Sequence, residues 1–154
     1  GTRALLVEIQ ALVARANFGM PERKVSGVDY NRVSMLLAIL EKRIGLKLGG
    51  QDIFVNIVGG VQIDEPAADL GIAMTIASSF KEKVIPSDIV FVGEVGLGGE
   101  VRSVSQIEIR LKEAQRLGFK RAVIPKDNAK GIGKELGIER IEVCYLSEAV
   151  EIIG

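Results

Sequence analysis

Histidine is missing from all 154 residues. Its absence removes Ser-His-Asp and Cys-His nucleophile arrangements, histidine general bases and histidine-ligated metals together. The single cysteine, Cys144, is too little for an internal disulfide or a thiolate zinc site, and it points to a reducing compartment. Inside the apolar stretch IEVCYL it reads as a buried strand residue. Tryptophan is absent, and two Tyr and five Phe are few for a protein that reads RNA by base stacking. Neither charge sign is in surplus: 20 Lys and Arg face 20 Asp and Glu, without the cationic excess of a strong nucleic-acid binder. No apolar run approaches the roughly 18 residues of a membrane span, and the opening GTRALLVEIQALV alternates like a strand instead of reading as a signal peptide. The expected location is therefore the cytoplasm, with no membrane partner. The chain opens without Met, as a piece of a longer protein would.

What is present is ordinary for one folded domain. Apolar residues make up 47% and charged residues 26%, in a chain long enough for a full core. Strands and helices alternate. ALLVEIQALVARA has period two and predicts a long first strand, and KVSGV a short second one. Asp29 is placed to cap YNRVSMLLAILEKRIG, whose Val33, Leu36, Leu37, Leu40 and Ile44 share one helical face; Gly45 stops it. DIFVNIVGG is a strand. From Asp69 a helix buries Leu70, Ala73, Met74, Ala77 and Phe80. DIVFVGEVGLGGEVRSV reads as two strands around a Gly-rich hairpin. QIEIRLKEAQRLG is a helix with Ile107, Leu111, Ala114 and Leu117 inward, RAVIP and IEVCYL are strands, and Ser147 caps a last short helix. The prediction is one α/β domain over residues 1–154, a mixed sheet with packed helices.

The stretch VQIDEPAADLGIAMTIASS has the shape of a hydrolase turn, with an apolar strand, an acidic proline-containing loop and a helix start. Yet the residue at the helix start is Asp69, and the loop holds no Ser, Cys or Thr. A carboxylate there is expected to cap the helix and to complement its dipole. VGLGG is not a phosphate cradle, because it joins two strands and lacks the Gly-Lys-Ser/Thr ending of a P-loop. Arg23, Lys24 and Arg32 form a basic set, the first two in a loop and the third in the first turn of the next helix. They are candidates for phosphate contacts or a subunit contact. Arg102, Arg110, Lys112, Arg116, Lys120 and Arg121 mix with Glu108 and Glu113 and read as an exposed helix face.

VFVGEVGLGGEVRSVSQIEIRLKEAQRLGFKRAVIPKDN resembles the second half of the Lon protease catalytic domain, whose fold is the ribosomal protein S5 domain 2-like one. GTRALLVEIQALV, VDYNRVSMLLAILEKRIGL, DIFVNIVGG and DEPAADLGIA bring it nearer to the Lon-like C-terminal domain of the RadA (Sms) family of bacterial DNA recombination and repair ATPases. The resemblance covers nearly the whole chain. It implies a Ser-Lys dyad in active relatives. Anchoring on Gly71 puts Asp69 at the serine position, and anchoring on Gly93-Glu94 puts Glu108 at the lysine position. A Ser-Lys mechanism needs a hydroxyl and a neutral amine, and here there is neither. The expectation is an inactive Lon-like domain with no cofactor of its own, in the C-terminal tier of a hexameric ring that acts on single-stranded or branched DNA. Zinc-finger and ATPase domains, with ATP, Mg and Zn, are implied upstream. Two alternatives stand beside it: a peptidase using the Asp69 and Glu108 carboxylates as a pair, and an RNA-binding module like ribosomal proteins of similar fold.

Overall fold

A computed structural model describes residues 8–17, 19–58 and 65–154. Residues 4–7 of the predicted first strand, 59–60 of the predicted strand DIFVNIVGG and 61–64 of the acidic loop lie outside the described residues. Eight strands and four α-helices are found among those described. The strands form three sheets, where one mixed sheet was expected.

The first sheet has β1 (Ile9–Arg15), β3 (Gln51–Ile57) and β2 (Arg23–Ser26) in the order β1-β3-β2. β1 runs antiparallel to β3, with Leu12 opposite Phe54, and β2 runs parallel to it, with Lys24 opposite Phe54. Alternation sets the faces. Ile53, Val55 and Ile57 are buried while Asn56 is exposed and Phe54 half-buried. Gly27 follows β2 with φ near +85°, where a Cβ would lie 2.8 Å from the Ile57 Cβ and 3.0 Å from its carbonyl oxygen. Only glycine meets both demands.

α1 (Tyr30–Ile39) buries Val33, Leu36 and Leu37 as its period predicts. It does not run on unchanged to Gly45: Leu40–Ile44 form a π-helical turn, closed by Gly45 in the left-handed region. Asp29 occupies the cap position but makes no side-chain cap hydrogen bond. α2 (Asp69–Lys81) is buried nearly all round, Ile72 and Ile76 joining the predicted stripe. A helix apolar on every side belongs in the middle of a core. It packs against β1, α1 and the last helix, α4 (Leu146–Ile152).

The second sheet is wholly parallel, in the order β4 (Ile89–Phe91), β7 (Arg121–Pro125), β8 (Glu139–Val143). Its central strand is buried on both faces. Val123 joins the main core, while Ala122 and Ile124 join a second core beneath α3 (Ile107–Arg116). The Gly-rich hairpin is a separate ribbon, β5 (Glu94–Val95) with β6 (Val101–Arg102), because the chain leaves β4 at Val92-Gly93.

Four local expectations are corrected. Leu117 is 51% exposed, since α3 ends before it. Arg110, expected on the exposed face, is 4% exposed: it shares the buried stripe of Ile107, Leu111 and Ala114. Cys144 is exposed, because β8 stops at Val143 and the chain turns into α4. That helix has Tyr145 and not Ser147 at its cap position, and Glu148 Oε1 reaches back to accept from the Cys144 and Tyr145 amides.

Candidate functional site

The turn into α2 is built from its own sequence. Glu65 sits before a short 3-10 turn, Pro66–Ala68, and accepts from the Ala67 amide at 3.3 Å. Pro66 suits the first turn because it has no amide to satisfy there. The Gly93 backbone then zips onto the turn: its amide donates to the Ala67 carbonyl, and its carbonyl accepts from the Leu70 amide, both at 3.0 Å. A Cβ at Gly93 would lie 2.8 Å from the Val101 Cγ1, so the approach needs glycine.

Asp69 is fully buried, and it is not the helix cap. Its carboxylate takes three hydrogen bonds from elsewhere in the fold. Arg32 Nε donates to Oδ1 at 2.5 Å and Arg32 Nη2 to Oδ2 at 3.2 Å. The Val95 amide donates to Oδ2 at 3.1 Å. Burial pushes the Asp69 carboxyl above the ordinary carboxylate range, with Glu94 adding to that push; the Val95 amide and the Arg32 guanidinium act against it. A second arginine holds the other end of the turn. Arg110 of α3 donates through Nη2 to Glu65 Oε1 at 3.0 Å and through Nε to the Ser105 carbonyl at 2.8 Å. The five residues from Glu65 to Asp69 are therefore tied at one end to α3 and at the other to α1.

Glu108 stands in the first turn of α3, and its Oε1 accepts from the Gly133 amide at 2.7 Å. Asp69 and Glu108 thus have separate partners, and no hydrogen bond joins the two carboxylates. A shared-proton pair needs that contact. The nearby hydroxyls serve the backbone: Thr75 donates to the Gly71 carbonyl at 2.7 Å, Ser78 to the Lys83 carbonyl, and Ser79 accepts from the Val13 amide at 2.9 Å. Among the described residues no group of three metal-ligating side chains comes together.

The structure does not bring Arg23, Lys24 and Arg32 to one side. Arg23 and Lys24 are consecutive on β2, not in a loop, so their side chains leave opposite faces of the sheet. Arg32 is turned inward onto Asp69. The arginine tie carried a signal in the sequence all the same. An acid at the head of a helix that reads Leu70-Gly71-Ile72-Ala73-Met74 has no water to solvate it and needs a cation. Arg110 falls at the i+3 position between Ile107 and Leu111, inside the apolar stripe.

Comparison with known proteins finds sequence matches over almost the whole chain. Residues 9–128 match the family described as ChlI, Subunit ChlI of Mg-chelatase. The chain is 54% identical to DNA repair protein RadA of Bacillus subtilis over 97% of its length, covering 33% of that protein. It is 51% identical to DNA repair protein RadA of Halalkalibacterium halodurans, over 99% of this chain and 33% of the relative. For DNA repair protein RadA of Synechocystis the identity is 45%, over 99% of this chain and 30% of the relative. The chain spans about a third of the length of the curated relatives it matches. No helix among the described residues is long and apolar enough to cross a membrane. By its match from β1 through β7 the chain belongs to the ChlI family, and it is homologous to one third of the DNA repair protein RadA.

Proposed function

We propose that this chain is a non-proteolytic, Lon-like (ribosomal protein S5 domain 2-like) domain of a DNA repair protein, serving ring assembly and DNA guidance. One observation carries the reading: the aspartate at the head of α2 is consumed by Arg32 and the Val95 amide. Both of its oxygens are engaged, and among the described residues none of its hydrogen bonds comes from a hydroxyl or an amine. A peptidase using Asp69 and Glu108 together would need them in contact, and they are engaged apart.

In this reading the whole protein is an ATP-dependent DNA motor in the cytoplasm, using ATP and Mg, with a zinc site upstream. It assembles as a hexameric ring and drives branch migration of single-stranded or branched DNA during recombinational repair. This domain supplies part of the ring and a surface along the DNA path. Symmetry reconciles this with zero net charge, since a modest local charge is repeated in each subunit. The family description names a chelatase subunit, but identities of 45–54% over nearly the whole chain to DNA repair proteins weigh more.

The test is hydrolysis of a fluorescent casein by the purified chain. No cleavage above the blank is expected. Cleavage that disappears in Asp69→Ala would contradict the reading.

A further inference from the structure

We propose that residues 126–137, the crossover between β7 and β8, form a strap that opens as one unit while both strands stay paired, with Glu108 of α3 as its latch. Parallel neighbours need a crossover of a dozen or more residues, and an α-helix usually supplies it. β7 and β8 are parallel, yet no α-helix joins them. A 3-10 segment, Lys126–Gly131, is followed by an irregular stretch that leads into β8. No residue from 126 to 137 is buried, whereas Pro125 before them and Ile138 after them both are. A segment with little of its own surface in the core, held between two buried ends, is suited to open locally.

Side chains do for the strap what a helix would do for itself. At its start Asn128 pairs with both polar groups of the Val104 backbone. Its Oδ1 accepts from the amide at 2.9 Å, and its Nδ2 donates to the carbonyl at 3.0 Å. Further on, Gly133 is held from two elements at once. Its amide donates to Glu108 Oε1 at 2.7 Å, and its carbonyl accepts from Arg140 Nη1 of β8 at 3.1 Å. Arg140 Nη2 also reaches the Leu136 carbonyl, at 3.4 Å. Ile132 and Leu136, half-buried against the second core, complete the hold. Hydrogen bonds to charged groups are the strong ones. Arg140 belongs to the strand that follows the strap, so Glu108 makes the charged contact that locks the strap to α3.

Release has a consequence beside the hairpin. Lys126 and Asp127, the first two residues of the strap, line a cleft of about 360 Å³ together with Arg102 of β6, Cys144 and Tyr145. Opening moves that wall and uncovers the part of the second core beneath Ile132 and Leu136. A carboxylate on α3 thereby controls the shape of a cleft formed by other elements.

The experiment is native-state hydrogen exchange of the 154-residue chain, followed by NMR in urea concentrations below the unfolding transition. The proposal predicts that the Val104 and Gly133 amides exchange through an opening that depends weakly on urea. The Ala73 and Met74 amides of α2 should exchange only through an opening that depends steeply on it. Glu108→Ala should speed exchange at Val104, whose partner is Asn128 and not Glu108, by at least about tenfold, the low end for one charged hydrogen bond. Asn128→Ala should in turn speed exchange at Gly133. An effect of Glu108→Ala confined to Gly133 would show separate contacts and overturn the strap. So would a urea dependence at Val104 and Gly133 equal to that of α2, which places their exchange in whole-domain unfolding. Should Glu108→Ala fail to fold, the urea series on the unaltered chain and Asn128→Ala decide between the same outcomes.

Discussion

Arg32 of α1 grips both carboxylate oxygens of Asp69 at the head of α2, with the aspartate fully buried and the arginine side chain 21% exposed. The contact joins two helices that both bury apolar residues in the main core. It also places a negative charge under the Val95 amide, which fixes the root of the β5–β6 hairpin. Removing one partner of a buried pair costs more than the pair itself contributes, because the other charge is left without a counter-ion.

The Asp69 carboxyl should titrate above the ordinary Asp value of about 3.9, because burial outweighs its hydrogen bonds. The sign of the effect on stability follows. Between the unfolded and the raised folded value, the native state binds more protons than the unfolded state, so this group's contribution falls as pH rises through the window. Wild type should therefore lose ground relative to Asp69→Asn as pH increases across it. Urea unfolding of both proteins over a pH series checks this, and a stability of wild type that rises with pH relative to Asp69→Asn contradicts it.

Arg110→Ala should destabilise by about 2–4 kcal/mol, because it empties a buried site and strips Glu65 and the Ser105 carbonyl of a charged donor. Arg110→Lys should recover only part of the loss, since an ammonium cannot reach both acceptors with the guanidinium fork. Chemical denaturation with an unchanged m-value is the measurement. Full recovery by lysine would show that charge alone matters at this position.

Gly27→Ala should cost about 2 kcal/mol or more. Its positive φ disfavours a side chain, and the added Cβ meets the Ile57 backbone, which the central strand cannot move. By contrast, Gly45→Ala carries the φ penalty with open space around it and should cost less. Thermal unfolding of the two variants should rank them in that order.

Much of this fold was legible because its helices follow period and its strands alternate. The α1 stripe from Val33 to Leu37 and the alternation of β1 needed no tertiary knowledge. The errors have a common origin in partners distant in sequence. Leu117 looked apolar enough to be buried, yet nothing lies opposite it once α3 ends. Cys144 sat in an apolar run, but the run crosses from β8 into a turn. Division into three sheets was not visible either, because VFVGEV reads as one strand until Gly93 is seen to dock on the Ala67-Leu70 turn. At the candidate site, Asp69 and Glu108 were identified by position. Of the arginines that engage Asp69 and Glu65, the sequence offers Arg32 as a phosphate or subunit contact and Arg110 as surface charge, since pairs separated by 37 and 45 residues leave no local pattern.

A double-mutant cycle on Arg32 and Asp69, read by urea unfolding at neutral pH, tests the central claim most directly. Arg32→Leu and Asp69→Leu are made singly and together. If the aspartate's work is to hold Arg32, each single change costs about 3 kcal/mol or more, and the double change recovers at least about 1.5 kcal/mol of their sum. Losses that add to within about 0.5 kcal/mol would contradict the account, and would free Asp69 for a role other than the tie.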